Sequence, residues 1–372
     1  MTPWEEPLDV YYMYRANYVS AAKDPMVYLV SHTWADRFEK GRRRATIEAY
    51  SNCDSVLLYN DMSNEKVTYL GRKKNNGTGT HFMWENRDIR YNVLRAVGYY
   101  KGKAVAEDIL VLNGLEQAPH FGILYQDTKP LLKGEDGYNY LYRINCGGDD
   151  FTDSFGQLWM QDNTNYSRSW AASFNELNPY LASQRTTNDP IRGSRDWKLF
   201  QYFRFGRHQL EYNFPVADGM YRIEFYFTEP WHGTGGSASA DCEGLRIFDV
   251  AVNDSVVLDD LDIWAESGHD GACKKVVYAI VKGGLLKIHF PEVKAGQALI
   301  SGIAIASANS DSKPTLFPAS DWNWEKASKE VMEKTPKELL PEDKNARVSI
   351  AYEAEAAVLK GKFQKKEHRK QM

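Results

Sequence analysis

From Met26 to about Leu115, and again from about Leu141 to Ala306, the chain is a succession of short β-branched and aromatic runs broken by turn residues. Helical periodicity is absent from both stretches, and strand after strand without helices confines each to an all-β layered fold. In "RATIEAYSN", Ala45, Ile47 and Ala49 alternate with Thr46, Glu48 and Tyr50, the period of a half-buried strand. "YYKGKAV" predicts a hairpin turning at Lys101-Gly102. About seven such strands in the first ~100 residues predict an immunoglobulin-like sandwich. The second stretch, with strands such as "LYRINCG", "MYRIEFYFTE" and "KKVVYAIVKGG" and turns at Asp218-Gly219, Asn253-Asp254 and Gly283-Gly284, predicts a larger and more loop-rich one.

A length of 372 residues allows two or three domains with their own cores. The net charge of -4 offers no basic patch for nucleic acid or an anionic membrane. No run approaches the ~18 apolar residues that span a bilayer. The start, "MTPWEEPLDVYYMYRANY", lacks a basic region followed by an apolar one, so a cytoplasmic location is expected for the chain as encoded. The four cysteines, Cys53, Cys146, Cys242 and Cys273, have no zinc spacing. Free buried thiols are expected, with a Cys242–Cys273 pair the alternative in an exported protein. His208, His232 and His269 are scattered among loops without H-x-H or H-E-x-x-H spacing, so no metal site and no cofactor are expected.

Between the two β stretches, "QAPHFGILYQDTKPLLKGEDGYNY" reads as a polar linker. After the second, "SDWNWEKASKEVMEK" predicts a capped helix ended by Pro336 and Pro341, and "RVSIAYEAEAAVLKGKF" one more strand pair.

Two sets of motifs resemble known families. "YRINCGGDD…FGQLWMQD", "LEYNFPV…GMYRIEFYFTEPWHG", "RIFDVAVND…LDDLDIW" and "AGQALISGIAI" together resemble a malectin-like domain, which implies a jelly-roll-type carbohydrate-binding sandwich. Upstream, "PLDVYYMYRANY", "YSNCDSVLLYND", "LGRK" and "AVGYYKGKAVAED" resemble the immunoglobulin-like domain that follows the barrel of bacterial family 2 glycoside hydrolases of the β-galactosidase kind. "YEAEAAVLKG" is similar to the first strand of a further carbohydrate-binding sandwich. The implied organisation is an immunoglobulin-like domain over 1–118, a linker over 119–137, a malectin-like domain over 138–308, a helical linker over 309–346 and a stub over 347–372. A family 2 barrel holds two catalytic carboxylates about 5 Å apart on roughly 250 residues, and this chain has no alternating strand–helix segment to build one. The resemblance therefore implies a non-catalytic accessory region that binds or positions an oligo- or polysaccharide beside such a barrel. Membership of a split or truncated hydrolase and a ligand-free spacer are its alternatives. A longer exported enzyme would place it in the periplasm or outside the cell.

Within "YRINCGGDDFTDSFGQLWMQD", Asp149, Asp150, Asp153 and Asp162 fit neither an EF-hand nor a P-loop, and no residue pair reads as a catalytic acid and base. They are expected to cap exposed amides around a turn at Gly147-Gly148, with a loop calcium ion the alternative. Sugar binding needs aromatic faces for stacking and convergent polar groups for hydroxyls. The loop aromatics expected to supply the faces are Trp159, Trp170, Tyr202, Phe205, Trp231 and Trp264, with Trp231 in "TEPWHGTGG" foremost. The resemblance places malectin's ligand-contacting positions at Phe205, Leu210 and Gly296 or Gln297, where the residue types differ from malectin's own, so another glycan than its disaccharide, or none, is implied.

Overall fold

The computed structural model describes residues 7–34, 37–38, 44–162, 183–207, 210–233 and 241–313. The predicted helix after Ser320 and the final strand pair lie outside these residues. No described helix is long and apolar enough to cross a membrane.

A helix, α1 (Asp9–Tyr18), opens the described chain, in a segment for which the sequence offered no element. Seven strands follow: β1 (Val27–Val30), β2 (Arg44–Ser51), β3 (Ser55–Tyr59), β4 (Tyr69–Lys74), β5 (Phe82–Asp88), β6 (Val93–Tyr100) and β7 (Lys103–Val111). They form a three-stranded sheet ordered β1-β2-β5 and a four-stranded sheet ordered β4-β3-β6-β7. Ile47 and Ala49 point inward as the alternation requires, and they meet Val56, Leu58, Trp84, Leu94 and Leu110 in one core. The edge strand β4 ends in exposed Arg72, Lys73 and Lys74, charges that discourage pairing with another chain. The turn between β6 and β7 falls at Lys101 and Gly102, whose φ values of +50 and +79 match the right-handed twist of a two-residue hairpin.

The segment joining the two halves is more ordered than its polar composition predicts. Its short 3-10 helix, Phe121–Leu124, buries Phe121 and Leu124. Together with Leu132 these side chains share a core with Val93 of the first sandwich and Trp159, Trp197, Phe200 and Tyr226 of the second. The linker is thus a wedge in a common hydrophobic seam. Backbone bonds run across the same seam, from Val111 N to Asn188 O at 2.7 Å and from Asn188 N to His32 O at 2.7 Å.

The second half is built from β8 (Asn139–Asn145), β9 (Phe151–Thr152), β10 (Leu158–Gln161), β11 (Ser183–Thr186), α2 (Trp197–Gln201), β12 (Tyr202–Gly206), β13 (Glu211–Pro215), β14 (Gly219–Phe227), β15 (Ile247–Val252), β16 (Ser255–Leu261), α3 (Ile263–Ser267), β17 (Cys273–Val281), β18 (Leu285–His289), β19 (Val293–Ala295), β20 (Ala298–Ile300) and β21 (Gly302–Ser307). A six-stranded sheet ordered β17-β14-β21-β8-β10-β9 and a sheet ordered β13-β18-β15-β16 enclose the core, and β11-β12-β20 form a small third sheet. Ile144, Phe214, Ile223, Phe225, Val250, Ile288 and Ile303 fill the space between them. The architecture is an all-β pair of sandwiches. All four cysteines are buried and free, so Cys242 and Cys273 are not joined.

Candidate ligand site between the two sandwiches

Among the aspartates of "YRINCGGDDFTDSFGQLWMQD", Asp150 and Asp153 cap backbone amides as expected, whereas Asp162 pairs with an arginine. Asp153 Oδ1 accepts from Phe155 N and Gln157 N, both at 2.9 Å. Asp150 Oδ1 accepts from Gln161 N at 2.7 Å. Asp162 is buried against Arg204, whose Nε donates to Oδ2 at 2.5 Å, and Tyr212 Oη donates to the same oxygen at 2.8 Å. Such a buried pair fixes how the β12 strand meets the loop after β10.

A different constellation gathers where the sandwiches meet. A cavity of about 360 Å³ opens between them. Its inner wall carries His32, Asp108, Asp189, His269 and Asp270, with Met62, Ile109, Leu124 and Pro190 as apolar surface and Glu107, Gln126 and Arg192 at the rim. The five polar side chains come from four separate places in the chain. His32 follows β1, Asp108 sits in β7, Asp189 follows β11, and His269 and Asp270 lie between α3 and β17. His32 bridges the halves: its Nε2 lies 2.9 Å from Asp108 Oδ2, and its Nδ1 contacts Asp189 Oδ1. Burial disfavours a charge on His32, but Asp108 and Asp189 outweigh it and hold the imidazole pKa well above its ordinary value. Burial likewise opposes ionisation of Asp189, and His32 more than compensates. Thr187 Oγ1 steadies Asp189 Oδ2 at 2.8 Å.

On the other side of the wall, His269 Nε2 lies 2.8 Å from Asp270 Oδ2 and its Nδ1 lies 3.1 Å from Glu229 O. A carbonyl only accepts, so Nδ1 carries a hydrogen and donates it. Burial works against a charge on His269, yet Asp270 and Asp189 raise its pKa to about 9. Burial pushes the Asp270 carboxyl up, His269 pulls it down, and the nearby Asp189 adds to burial. Asp270 Oδ1 is buried and has no hydrogen-bond partner among the described residues.

The wall rests on a rigid base. Arg246 Nε donates to Glu229 Oε2 at 2.6 Å, and neither side chain is exposed. Burial opposes the Glu229 charge, but Arg246 holds the carboxyl down at about 2. Gly233 (φ +103) brings the loop after Trp231 against His269: a Cβ there would stand 2.9 Å from His269 Cβ. Only glycine permits this approach. A buried pocket lined by several hydrogen-bonding groups beside apolar side chains suits a small hydroxyl-rich ligand.

The structure scatters the aromatic residues expected to stack on sugar. Trp159 is 0% exposed. Its ring packs between Phe151 and Tyr226, and its Nε1 donates to Asp153 Oδ2 at 2.9 Å, so neither face is open. Phe205 and Trp231 form an edge-to-face pair with centroids 5.0 Å apart, both buried, with Arg246 over the Trp231 ring at 5.1 Å. The flexible-loop setting expected for Trp231 is therefore a packed one. Tyr202 is half-buried at the start of β12. Trp264, half-buried in α3, lies behind Gly233, which lines the cavity, and its buried Nε1 has no partner among the described residues. Trp170 lies outside the described residues. Leu210 is buried, and Gln297, just before β20, is 1% exposed. None of the expected set among the described residues lines the cavity; Trp264 comes nearest to it, beside the lining residue Gly233. His32, Asp108, Asp189 and Asp270 were absent from that set, because residues so distant in sequence form no motif that spacing reveals. His269 was considered only as a zinc ligand and set aside.

Comparison with known proteins locates one half of this frame. Residues 140–309 match the family model of the malectin domain. The match spans the second sandwich from β8 to β21, and Asp189, His269 and Asp270 all lie within the matched residues. Malectin of Danio rerio is 26% identical over 150 residues, covering 40% of this chain and 47% of that protein. Malectin-B of Xenopus laevis is 24% identical over 149 residues, covering 40% and 48%. The chain thus spans about half the length of the curated relatives it matches. Among solved structures, a Bacteroides uniformis β-glucuronidase aligns over 80% of this chain and 32% of its own, with 23% identity and a TM-score of 0.36. The plant receptor-like kinase FER aligns over 77% and 81%, with 12% identity and a TM-score of 0.37.

Proposed function

We propose that this chain is a carbohydrate-binding accessory region, in which the malectin domain and the sandwich before it hold a glycan in the cavity between them. The observation that carries the reading is that cavity: carboxyl and imidazole groups of both sandwiches converge beside an apolar wall, the pairing of surfaces a sugar ring needs. The malectin domain supplies half of it, and malectin-like domains are implied carbohydrate binders. The motifs of the first sandwich resemble the immunoglobulin-like domain of family 2 glycoside hydrolases, so the partner in this reading is a catalytic barrel of that family on the same or another chain. A spacer role has one observation in its favour, the continuous hydrophobic seam along the linker, which would hold the sandwiches rigid whether or not they bind anything.

The test is a glycan array probed with the wild-type chain and with Ile109→Trp, which fills the cavity without touching its carboxyl groups. Binding by the wild type that drops at least about tenfold in the variant supports the proposal. Equal binding by both moves the glycan site elsewhere, and no binding to any plant or host glycan favours the spacer.

A further inference from the structure

One corner of the cavity wall has the construction of a metal site. Asp189, His269 and Asp270 each offer a ligand atom, and these atoms all lie within 4.8 Å of one another. Three donors so spaced can converge on one ion, since Zn–N and Zn–O distances are about 2.0–2.2 Å. The tautomer of His269 is already arranged. Its Nδ1–H is committed to Glu229 O, which leaves Nε2 as the nitrogen facing the two carboxyl groups. Metal-binding histidines are oriented in the same way, by donating the other ring N–H to a backbone carbonyl. Glu229 is itself pinned by Arg246, and Gly233 presses on the back of His269, so the imidazole has little room to turn.

A second observation points to a missing partner. Asp270 is 7% exposed, and its Oδ1 is buried without a hydrogen-bond donor among the described residues. An orphaned carboxyl oxygen in such a position is costly unless something positive meets it. We propose that Asp189, His269 and Asp270 bind a divalent cation of the Zn²⁺ or Mn²⁺ type in the wall of the inter-sandwich cavity. One imidazole and two carboxyl groups suit such ions better than Ca²⁺, which takes six to eight oxygens. The cation takes the place of the proton held in the His269–Asp270 contact, and that proton leaves to solvent. His32 remains on Asp108 and on the second side of Asp189 as an orienting group. The site stands whether or not the cavity takes a glycan.

The experiment is calorimetric titration of the chelator-treated full chain with ZnCl₂ and MnCl₂, with CaCl₂ and MgCl₂ as controls. One saturable site for Zn²⁺ or Mn²⁺ is expected, and His269→Gln and Asp270→Asn should each weaken it by at least about tenfold. Asp259→Asn, at an exposed member of the separate Asp249–Asp259–Asp260 group, should leave it unchanged. X-ray absorption on the Zn²⁺-loaded wild type reads the ligands without relying on any variant, and should show one imidazole with oxygen neighbours and no sulfur. Absence of binding, a sulfur shell from the free cysteines, or loss of the site in Asp259→Asn alone overturns the proposal.

Discussion

Single side chains in this protein often have the opposite role to the one their type suggests. Trp159 follows a glycine- and aspartate-rich stretch, where a tryptophan looks available for stacking, yet it lies in β10, sealed between Phe151 and Tyr226 and hydrogen-bonded to Asp153. Trp159→Ala should cost about 3–5 kcal/mol of stability, as large aromatic truncations in cores do, measured by urea denaturation. A loss under about 1 kcal/mol would mean the ring is not core. Glu229 and Arg246 make the complementary case. Replacing one member of a fully buried pair strands the other, so Glu229→Gln should cost about 3–5 kcal/mol by the same measurement. The capping role of Asp153 was legible in sequence because its Asx contacts, to Phe155 N and Gln157 N, are local. The meeting of His32, Asp108, Asp189 and Asp270 was not, since each comes from a different loop or strand and only the packing of two sandwiches joins them.

Elements were legible where local chemistry decides them. The hairpin at Lys101-Gly102 was read because a two-residue turn needs left-handed backbone and glycine supplies it cheaply. Lys101, at φ +50, pays more for that backbone than asparagine would, so Lys101→Asn should raise the melting temperature slightly, by roughly 0.5 kcal/mol in stability. A lowered melting temperature would show that the turn is held by Lys101's own contacts. The α1 helix was not legible, because its tyrosines favour strands by propensity; what holds it is tertiary, with Tyr12 stacked on Tyr28 at 4.0 Å. The packing of the linker was not legible because its buried residues, Phe121, Leu124 and Leu132, are too few and too widely spaced to show a period. One clamp on it titrates. His120 Nδ1 lies 2.6 Å from Asp61 Oδ2, and His120 N donates to Oδ1 at 3.1 Å. Burial opposes the Asp61 charge, but the bonds from His120 outweigh it and lower its pKa, while the bond to Asp61 raises that of His120. The Asp61 contribution is present above its unfolded value of about 3.9 and is lost as pH falls through the lower folded value. The His120 contribution is present below about 6.5 and is lost as pH rises through the higher folded value. Linker protection, read by hydrogen exchange, should therefore be greatest between about pH 4 and 6.5, and Asp61→Asn should flatten the profile.

At the scale of the whole molecule, the sequence divided the chain into two sandwiches, and the structure shows that they share a seam. His32 joins Asp108 of one half to Asp189 of the other. His32→Gln should therefore split a single calorimetric unfolding transition into two, the sandwiches melting apart once the bridge is gone. One unchanged transition would assign the coupling to the linker's hydrophobic seam instead. A ligand in the cavity would tie both halves together in the same way, which is why the carbohydrate reading and the architecture depend on the same few residues. The most direct measurement is an electron-density map of crystals soaked in the glycan that the array selects. The account predicts sugar density between His32, Asp189 and Asp270; density confined to the surface above Phe205 and Trp231, or none at all, would contradict it.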